Sequence, residues 1–141
     1  MSKTPPRDLA ERLFEFACDV VPYCCELSKE PGVVRRIAWQ LSASATSAAA
    51  NYQEAKAAYS RREFAAKNST VLKELRESKL WLRIVIRCRL GPLGVSDRLL
   101  NEADQLCAIF TSSMKRLHPV SMFVACALAL TGIVLLVACY L

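Results

Sequence analysis

Side chains that could perform acid–base or metal chemistry are few in this chain of 141 residues. The single histidine, His118, has no second ligand at the spacing that a metal site requires. No glycine-rich loop is present to hold a phosphate, and no carboxylate pair stands at a helical spacing beside an acid–base partner. We therefore expect neither an enzyme nor a bound cofactor or metal.

The seven cysteines are the other candidates for chemistry, and their spacing argues against it. None form a C-x-x-C pair, and the adjacent Cys24 and Cys25 suit neither a zinc site nor a disulfide framework. Most of the others stand at apolar positions of predicted helices, where a free cysteine behaves as a small hydrophobic residue. The pattern predicts structural thiols in a reducing compartment.

Positive charge is concentrated in one segment of the chain. The net charge is +6, and residues 56–89 account for it, with ten basic and three acidic side chains. The segments on either side are nearly balanced. A basic surface of this kind attracts phosphate backbones, anionic lipid headgroups or acidic proteins without selecting among them.

Helices must position these charges, because four glycines and six prolines leave little turn material for a sheet protein. Asp8 can cap a first helix that runs to about Ser28. Pro22 lies inside it and predicts a kink or an early break, since proline lacks a backbone donor. A second helix is predicted from about Val33 to Ala58.

The third helix has a start signal and a stop signal. Ser60 and Glu63 form a capping box, S-x-x-E, that begins it. It should run to about Leu90, because Gly91 and Pro92 follow there.

A fourth helix can be capped by Ser96 or Asp97. Four amphipathic helices with short connections predict an all-α protein, an antiparallel up-down four-helix bundle over residues 8–117. Residues 1–7 would be an N-terminal tail.

The side chains of the third helix divide by type around its axis. At about 100° per residue, the stripe that faces inward carries Phe64, Asn68, Val71, Leu75, Ser78, Leu82 and Ile86. One flank, which we name the basic strip, carries Arg62, Lys73, Arg76, Lys79, Arg83 and Arg87. The other flank carries Glu63, Glu74 and Glu77. A solvated helix face usually mixes its signs, so the separation of signs on this helix is mildly informative.

The second half of the third helix also carries apolar residues that the inner stripe does not explain. This outer stripe consists of Leu80, Trp81, Ile84 and Cys88. A helix that is apolar on two faces is buried on two faces, so a second copy of the chain should cover the outer one. One basic and one acidic flank on the same helix would suit a head-to-tail ring.

The second helix is rich in small residues between Ser44 and Ala50, which lets it approach its neighbours closely. Buried polar groups in such a seam need partners, because an unpaired amide costs about 1–3 kcal/mol. We expect a structural polar seam of Ser44, Asn51, Tyr52 and Glu54, with Asn51 and Glu54 bonded across helices to hydroxyls or to arginines. A ligand or nucleic-acid contact is the alternative.

Residues 120–141 form an uncharged run, VSMFVACALALTGIVLLVACYL. At about 1.5 Å per residue this run is about 33 Å of helix, enough to cross a hydrocarbon core. Lys115, Arg116 and His118 precede it, which predicts a membrane tail anchor over residues 118–141 with the bundle on the cytoplasmic side. The alternative is a fifth helix buried against the bundle or a partner, in a cytoplasmic protein.

The segment Gln40–Leu82, QLSASATSAAANYQEAKAAYSRREFAAKNSTVLKELRESKLWL, resembles the bacterial four-helix bundle protein family. Its relatives include proteins encoded in intervening sequences of large-subunit ribosomal RNA genes and the accessory variability protein of diversity-generating retroelements. The resemblance covers about Asp8 to Arg116. It implies a homo-oligomeric basic barrel, often a pentamer, with nucleic acid and a reverse transcriptase as partners. The chain departs from the family at Ala43, where an arginine is common, and in its apolar tail.

Two functions of different classes remain open at this stage. In the first, the basic strip binds RNA or DNA by neutralising phosphates, without reading bases. In the second, the bundle is a scaffold anchored at a membrane, and the strip faces anionic lipid. A solvated strip, or one that pairs with a neighbour's acidic flank, would serve neither role.

Overall fold

The computed structural model describes residues 8–117, which contain four α-helices and no strand. Helix α1 spans Leu9–Leu27, α2 spans Val33–Lys56, α3 spans Arg61–Cys88 and α4 spans Leu93–Leu117. The all-α class and the number of helices are therefore as predicted. The N-terminal tail and the membrane anchor predicted from the sequence lie outside the described residues. Within residues 8–117, no helix has both the length and the apolar character that a membrane span requires.

The starts of α1 and α3 follow the capping residues that the sequence predicts. The Asp8 carboxylate accepts a hydrogen bond from the backbone N–H of Ala10 at 3.2 Å. Ser60 Oγ accepts one from the N–H of Glu63 at 3.1 Å. The Glu63 carboxylate reaches back to the N–H of Tyr59 at 2.9 Å, one residue before the cap. Each cap satisfies donors that the first helical turn leaves without partners.

The predicted early break at Pro22 is wrong, because α1 continues through it to Leu27. Proline removes the hydrogen bond that would reach the carbonyl of Cys18, four residues earlier. Pro22 and Cys18 are both exposed, so water can satisfy that carbonyl. The position of the proline on the solvent side of α1 explains why the helix tolerates it.

The junction between α3 and α4 also differs from the prediction. Helix α3 ends at Cys88, and the residue that adopts the left-handed conformation after it is Arg89 (φ 54°, ψ 43°), not Gly91. Helix α4 begins at Leu93, three residues before the predicted cap at Ser96. Ser96 already donates its backbone N–H to the carbonyl of Pro92 at 3.2 Å, so it lies within the first turn.

Cross-helix contacts show that successive helices run antiparallel. Between α1 and α4, residue numbers rise on one helix as they fall on the other, in the pairs Arg12 with Glu102 and Asp19 with Arg98. Between α2 and α3 the same holds for Ser44 with Ser78 and Glu54 with Lys67. Between α3 and α4 it holds for Arg76 with Cys107 and Lys79 with Asp104. Each helix packs against two neighbours, and α1 lies diagonally across from α3. Helices α1 and α3 therefore point in the same direction.

The core lies where the four apolar stripes meet. Its largest fully buried side chains include Leu13, Phe16, Leu41, Leu75, Leu82, Leu99, Leu106 and Phe110. Tyr52, predicted as part of the polar seam, packs edge-on against Phe110, with ring centroids 5.4 Å apart. Of the predicted inner stripe of α3, Phe64 and Ile86 are only half-buried, and Ala65 and Val85 are buried instead.

Candidate assembly and phosphate-binding face

The basic strip lies on the solvent side of α3, and one edge of it meets α4. Five of its residues are exposed and form no salt bridge within residues 8–117, namely Arg62, Lys73, Arg76, Arg83 and Arg87. Lys79 differs, because it is half-buried and pairs with Asp104 of α4. The charge of Lys79 is therefore paired within the subunit, whereas the other five cations of the strip are accessible to other molecules.

Two of the three carboxylates on the acidic flank of α3 accept hydrogen bonds from nearby residues. The Glu63 carboxylate accepts the hydrogen bond from Tyr59 that completes the helix cap. The Glu77 carboxylate accepts a hydrogen bond from the indole N–H of Trp81 at 3.1 Å. Glu74 is half-buried and forms no salt bridge within residues 8–117. This flank therefore offers one unengaged carboxylate against five exposed cations, too few to match them.

Three residues of the outer stripe line an open groove along the boundary between α3 and α4. Leu80 is 49% exposed, Cys88 is exposed and Ile84 is half-buried. With Arg83, Arg87 and Ile86 of α3 and Leu100 of α4 they form a groove of about 540 Å³. Trp81, which the sequence groups with these three, instead packs at the edge of the core. It belongs partly to the fold of the subunit.

The small residues of α2 allow two buried hydroxyls to meet at the interface with α3. Ser44 Oγ and Ser78 Oγ lie 2.8 Å apart, and both side chains are almost fully buried. Each hydroxyl also lies near a carbonyl of its own helix, at 3.1 Å for Ser44 and 3.0 Å for Ser78. One hydroxyl can therefore donate across the interface while the other donates along its helix, and neither is left unpaired.

The other predicted seam residues find partners of different kinds. Glu54 does bond across helices, but its partner is Lys67 and not an arginine or a hydroxyl. Asn51 bonds within its own helix, to the carbonyl of Ser47 at 3.0 Å and to its hydroxyl at 3.2 Å. These contacts satisfy the polar groups with no need for a ligand.

A polar contact that the sequence reasoning missed ties α1 to the start of α4. Tyr23 Oη lies 2.7 Å from Ser96 Oγ, and both side chains are buried. Burial raises the pKa of the Tyr23 phenol. Gly91 leaves the space for this ring, because a Cβ there would stand 2.7 Å from Tyr23 Oη. The spacing of Phe16, Val20 and Tyr23 along one face of α1 is the signal that could have identified it.

The thiols fall into buried and exposed groups. Burial raises the pKa of the Cys24 thiol to about 12, so the group stays protonated at neutral pH. Cys18, Cys25 and Cys88 are exposed. Among residues 8–117, no three histidine, cysteine or acidic side chains come together as a metal site.

Comparison with known proteins places this arrangement in a family. The fold is similar to that of a protein of unknown function from the S23 ribosomal protein family of Bacteroides thetaiotaomicron VPI-5482, known from a crystal structure. The two chains are 28% identical with a TM-score of 0.70, over 77% of this chain and 99% of that one. No curated protein matches the sequence. The sequence model of the 23S rRNA-intervening sequence protein family matches residues 8–112, which include α1 to α3 and most of α4. The chain therefore belongs to the family of 23S rRNA-intervening sequence proteins.

Proposed function

We propose that this chain is a non-enzymatic, homo-oligomeric accessory protein whose subunits associate through the outer stripe of α3. The observation that carries the proposal is the groove of Leu80, Ile84 and Cys88 on a helix whose opposite side forms the core. Apolar surface rimmed by polar residues marks interaction sites, and Arg83 and Arg87 form such a rim here.

A substitution at Leu80 tests this association most directly. Leu80→Glu places a charge in the groove and should dissociate the oligomer. Leu93→Glu is the matched control, because Leu93 is 48% exposed against 49% for Leu80 but lies outside the groove. Trp81→Glu is a poorer test, since Trp81 packs against the core and its loss would disturb the fold.

The readout is the mass of the full chain in a mild detergent, measured by sedimentation equilibrium, with circular dichroism as a check on folding. We expect an oligomer for the wild type and for Leu93→Glu, and a smaller species for Leu80→Glu. A folded Leu80→Glu protein with the wild-type mass would refute association through this groove.

Nucleic-acid binding is a second candidate function, and the five exposed cations of the basic strip favour it. They extend from Arg62 to Arg87, about 37 Å along a helix that rises about 1.5 Å per residue. Such a row can neutralise several phosphates without reading bases. The family is named after 23S rRNA intervening sequences, so RNA is the first nucleic acid to test.

The test is the salt dependence of binding to a labelled RNA hairpin. Each phosphate contact should contribute about −0.7 to −0.9 to the slope of log affinity against log salt. Arg62→Glu, at a strip residue outside the groove, should weaken binding and make the slope shallower, whereas Arg36→Glu, at an exposed arginine on α2, should change neither. Affinity that hardly changes between low and physiological salt would exclude this role.

A membrane scaffold is the alternative function, and its support comes from the uncharged sequence of residues 120–141. The experiment that separates the alternatives is deletion of that segment. A truncated protein that still assembles and binds RNA, but no longer enters the detergent phase, would assign membrane attachment to the tail and the other activities to the bundle. A truncated protein that no longer assembles would favour the scaffold.

A further inference from the structure

We infer that the outer face of α1 is the surface that receives α3 of a neighbouring copy. The inference rests on the proposed homo-oligomer and names its second surface, which the groove on α3 alone does not identify. Helix α1 carries an apolar stripe beside an acidic stripe, and α3 carries an apolar stripe beside a basic one.

The apolar stripe of α1 is exposed along most of its length. It consists of Phe14, Cys18, Val21 and Cys25, spaced three or four residues apart on one side of the helix. Phe14 is 52% exposed and Val21 is 40% exposed. Phe14, Cys18 and Val21 line a groove of about 420 Å³ with Thr46 and Ala49 of α2, and the lining has few polar atoms.

The acidic stripe of α1 contains two carboxylates that are free to pair with a neighbour. Glu11 and Glu15 are exposed and form no salt bridge within residues 8–117. Asp19 and Glu26 continue the stripe, but they already pair with Arg98 and Lys29. Unlike charge is therefore available opposite the unpaired cations of α3.

On both α1 and α3 the charged stripe lies on the side that faces α4. Glu11 and Glu15 lie on the side of α1 that faces α4, where they line a groove with Asn101. On α3, Arg76 lies on the α4 side, close enough to Cys107 to affect the pKa of its thiol. The apolar stripe of α1 lies further from α4, beside Thr46 and Ala49 of α2. On α3 the helical angles place Ile84 and Cys88 further from α4 than Arg76, although the groove they line reaches Leu100 of α4. Two copies in the same orientation thus bring apolar against apolar and acid against base.

The height of each stripe along the bundle can be read from contacts between helices. Through α2, the contact of Asp8 with Lys56 and that of Ser44 with Ser78 relate α1 to α3. Because α1 and α2 are antiparallel, the residue twelve positions after Asp8 has the same height along the bundle as the residue twelve positions before Lys56. Val20 is therefore level with Ser44, and through it with Ser78.

The route through α4 gives a height about two helical turns further along α3. Asp19 contacts Arg98, and Asp104 contacts Lys79. Arg98 precedes Asp104 by six positions, so Asp19 is level with residue 85, six positions after Lys79. For Val20 the two routes give residues 78 and 86 of α3, with residue 82 midway.

A residue of α1 is therefore level with the residue of α3 numbered about 62 higher, to within about two helical turns of 5.4 Å. At the middle of that range the residues that face each other are Glu11 with Lys73, Glu15 with Arg76, Cys18 with Leu80, Val21 with Ile84 and Cys25 with Cys88. The long basic side chains can span part of the remaining mismatch. The charged stripes and the apolar stripes therefore overlap in height.

This match describes a head-to-tail contact. Because α1 and α3 are parallel and diagonally opposed, the contact uses two different surfaces of the subunit. Repeated with a small rotation about an axis parallel to the helices, it closes into a ring. Arg62 extends beyond the start of α1 and remains available for phosphates, whereas Arg83 and Arg87 rim the groove that the neighbour covers.

A charge exchange between Glu15 and Arg76 tests the contact. In the full chain in mild detergent, Glu15→Arg and Arg76→Glu should each weaken assembly about tenfold or more. The double variant should return to within about threefold of the wild type. Glu30→Arg, at an exposed turn residue outside both stripes, should have no effect. A double variant no better than either single variant would overturn the inference.

The same series separates this inference from the proposed function on which it rests. If Leu80→Glu dissociates the oligomer but the charge exchange does not restore assembly, association through α3 stands and docking on α1 is refuted. If the wild type is a monomer, both are refuted. Restored assembly in the double variant supports both, because the two residues lie on opposite sides of one subunit and can meet only between copies.

Discussion

The contact between Tyr23 and Gly91 predicts that Gly91→Ala will destabilise the wild type but stabilise the Tyr23→Phe variant. A Cβ at Gly91 would stand 2.7 Å from Tyr23 Oη and 3.4 Å from the ring carbon that carries it. The first distance is a clash, and the second is close to an ordinary contact. Tyr23 cannot move away freely, because its hydroxyl lies 2.7 Å from Ser96 Oγ in a buried site.

The magnitudes follow from these distances. Gly91→Ala in the wild type should lower the free energy of unfolding by about 1–3 kcal/mol, the usual range for overpacking. Tyr23→Phe should lower it by about 1 kcal/mol, because Ser96 keeps its bond to the Pro92 carbonyl at 3.0 Å. Gly91 does not have a positive φ. In the Tyr23→Phe background, Gly91→Ala should therefore stabilise by about 0.4–1 kcal/mol, by restricting the unfolded chain.

The assay is urea unfolding of the wild type, the two single variants and the double variant, followed by circular dichroism. All four are measured at one protein concentration, because the stability of an oligomer depends on concentration. The double-mutant cycle isolates the clash from the separate losses. If Gly91→Ala is equally destabilising in both backgrounds, the Tyr23 hydroxyl is not what excludes a side chain at position 91, and the reasoning is wrong.

Two further predictions concern groups with unusual partners or burial. Burial raises the pKa of Cys24 from 9.0 to about 12, so the folded state holds this proton more tightly than the unfolded state does. The free energy of unfolding should therefore fall as pH rises from about 9 to 12. The fall should be less steep in Cys24→Ala. An equal pH slope in both proteins would contradict the assignment. Arg12 and Glu102 form a partly buried pair at 2.6 Å, so Glu102→Gln should destabilise by about 1 kcal/mol in urea titration. Glu26→Gln, which breaks an exposed pair with Lys29, should change stability by less than about 0.5 kcal/mol, and equal effects would contradict the distinction.

Features that depend on neighbouring residues of one helix were predictable from the sequence. The caps at Asp8 and Ser60 are local, because each joins groups two or three residues apart. The inner stripe of α3 follows from helical periodicity, which places Val71, Leu75 and Leu82 on one side. The number of helices follows from the same signals.

Features that depend on contact between helices were not predictable. Gly91 seemed to be a helix terminator, but its lack of a side chain serves a close approach by Tyr23 from another helix. Ser96 seemed to be a helix cap and is instead the buried partner of the same tyrosine. Trp81 was placed on the outside by its angle around α3, yet a side chain at the edge of a stripe is wide enough to reach the core. In each case the missing information was the position of a second helix.

The proposed ring shows the same limit for the surface of the protein. A separation of charge around α3 suggested that neighbouring copies meet through unlike charge, and the sequence placed the acidic partner on the same helix. The structure engages Glu63 and Glu77 locally and leaves only the half-buried Glu74 on that flank, so a larger acidic partner must lie elsewhere. Only the antiparallel order of the helices shows that α1 lies opposite α3, points the same way and carries an acidic stripe that overlaps the basic strip in height. Complementarity between distant surfaces is a property of topology, because height and direction are set by the loops and the packing and not by the pattern within either helix.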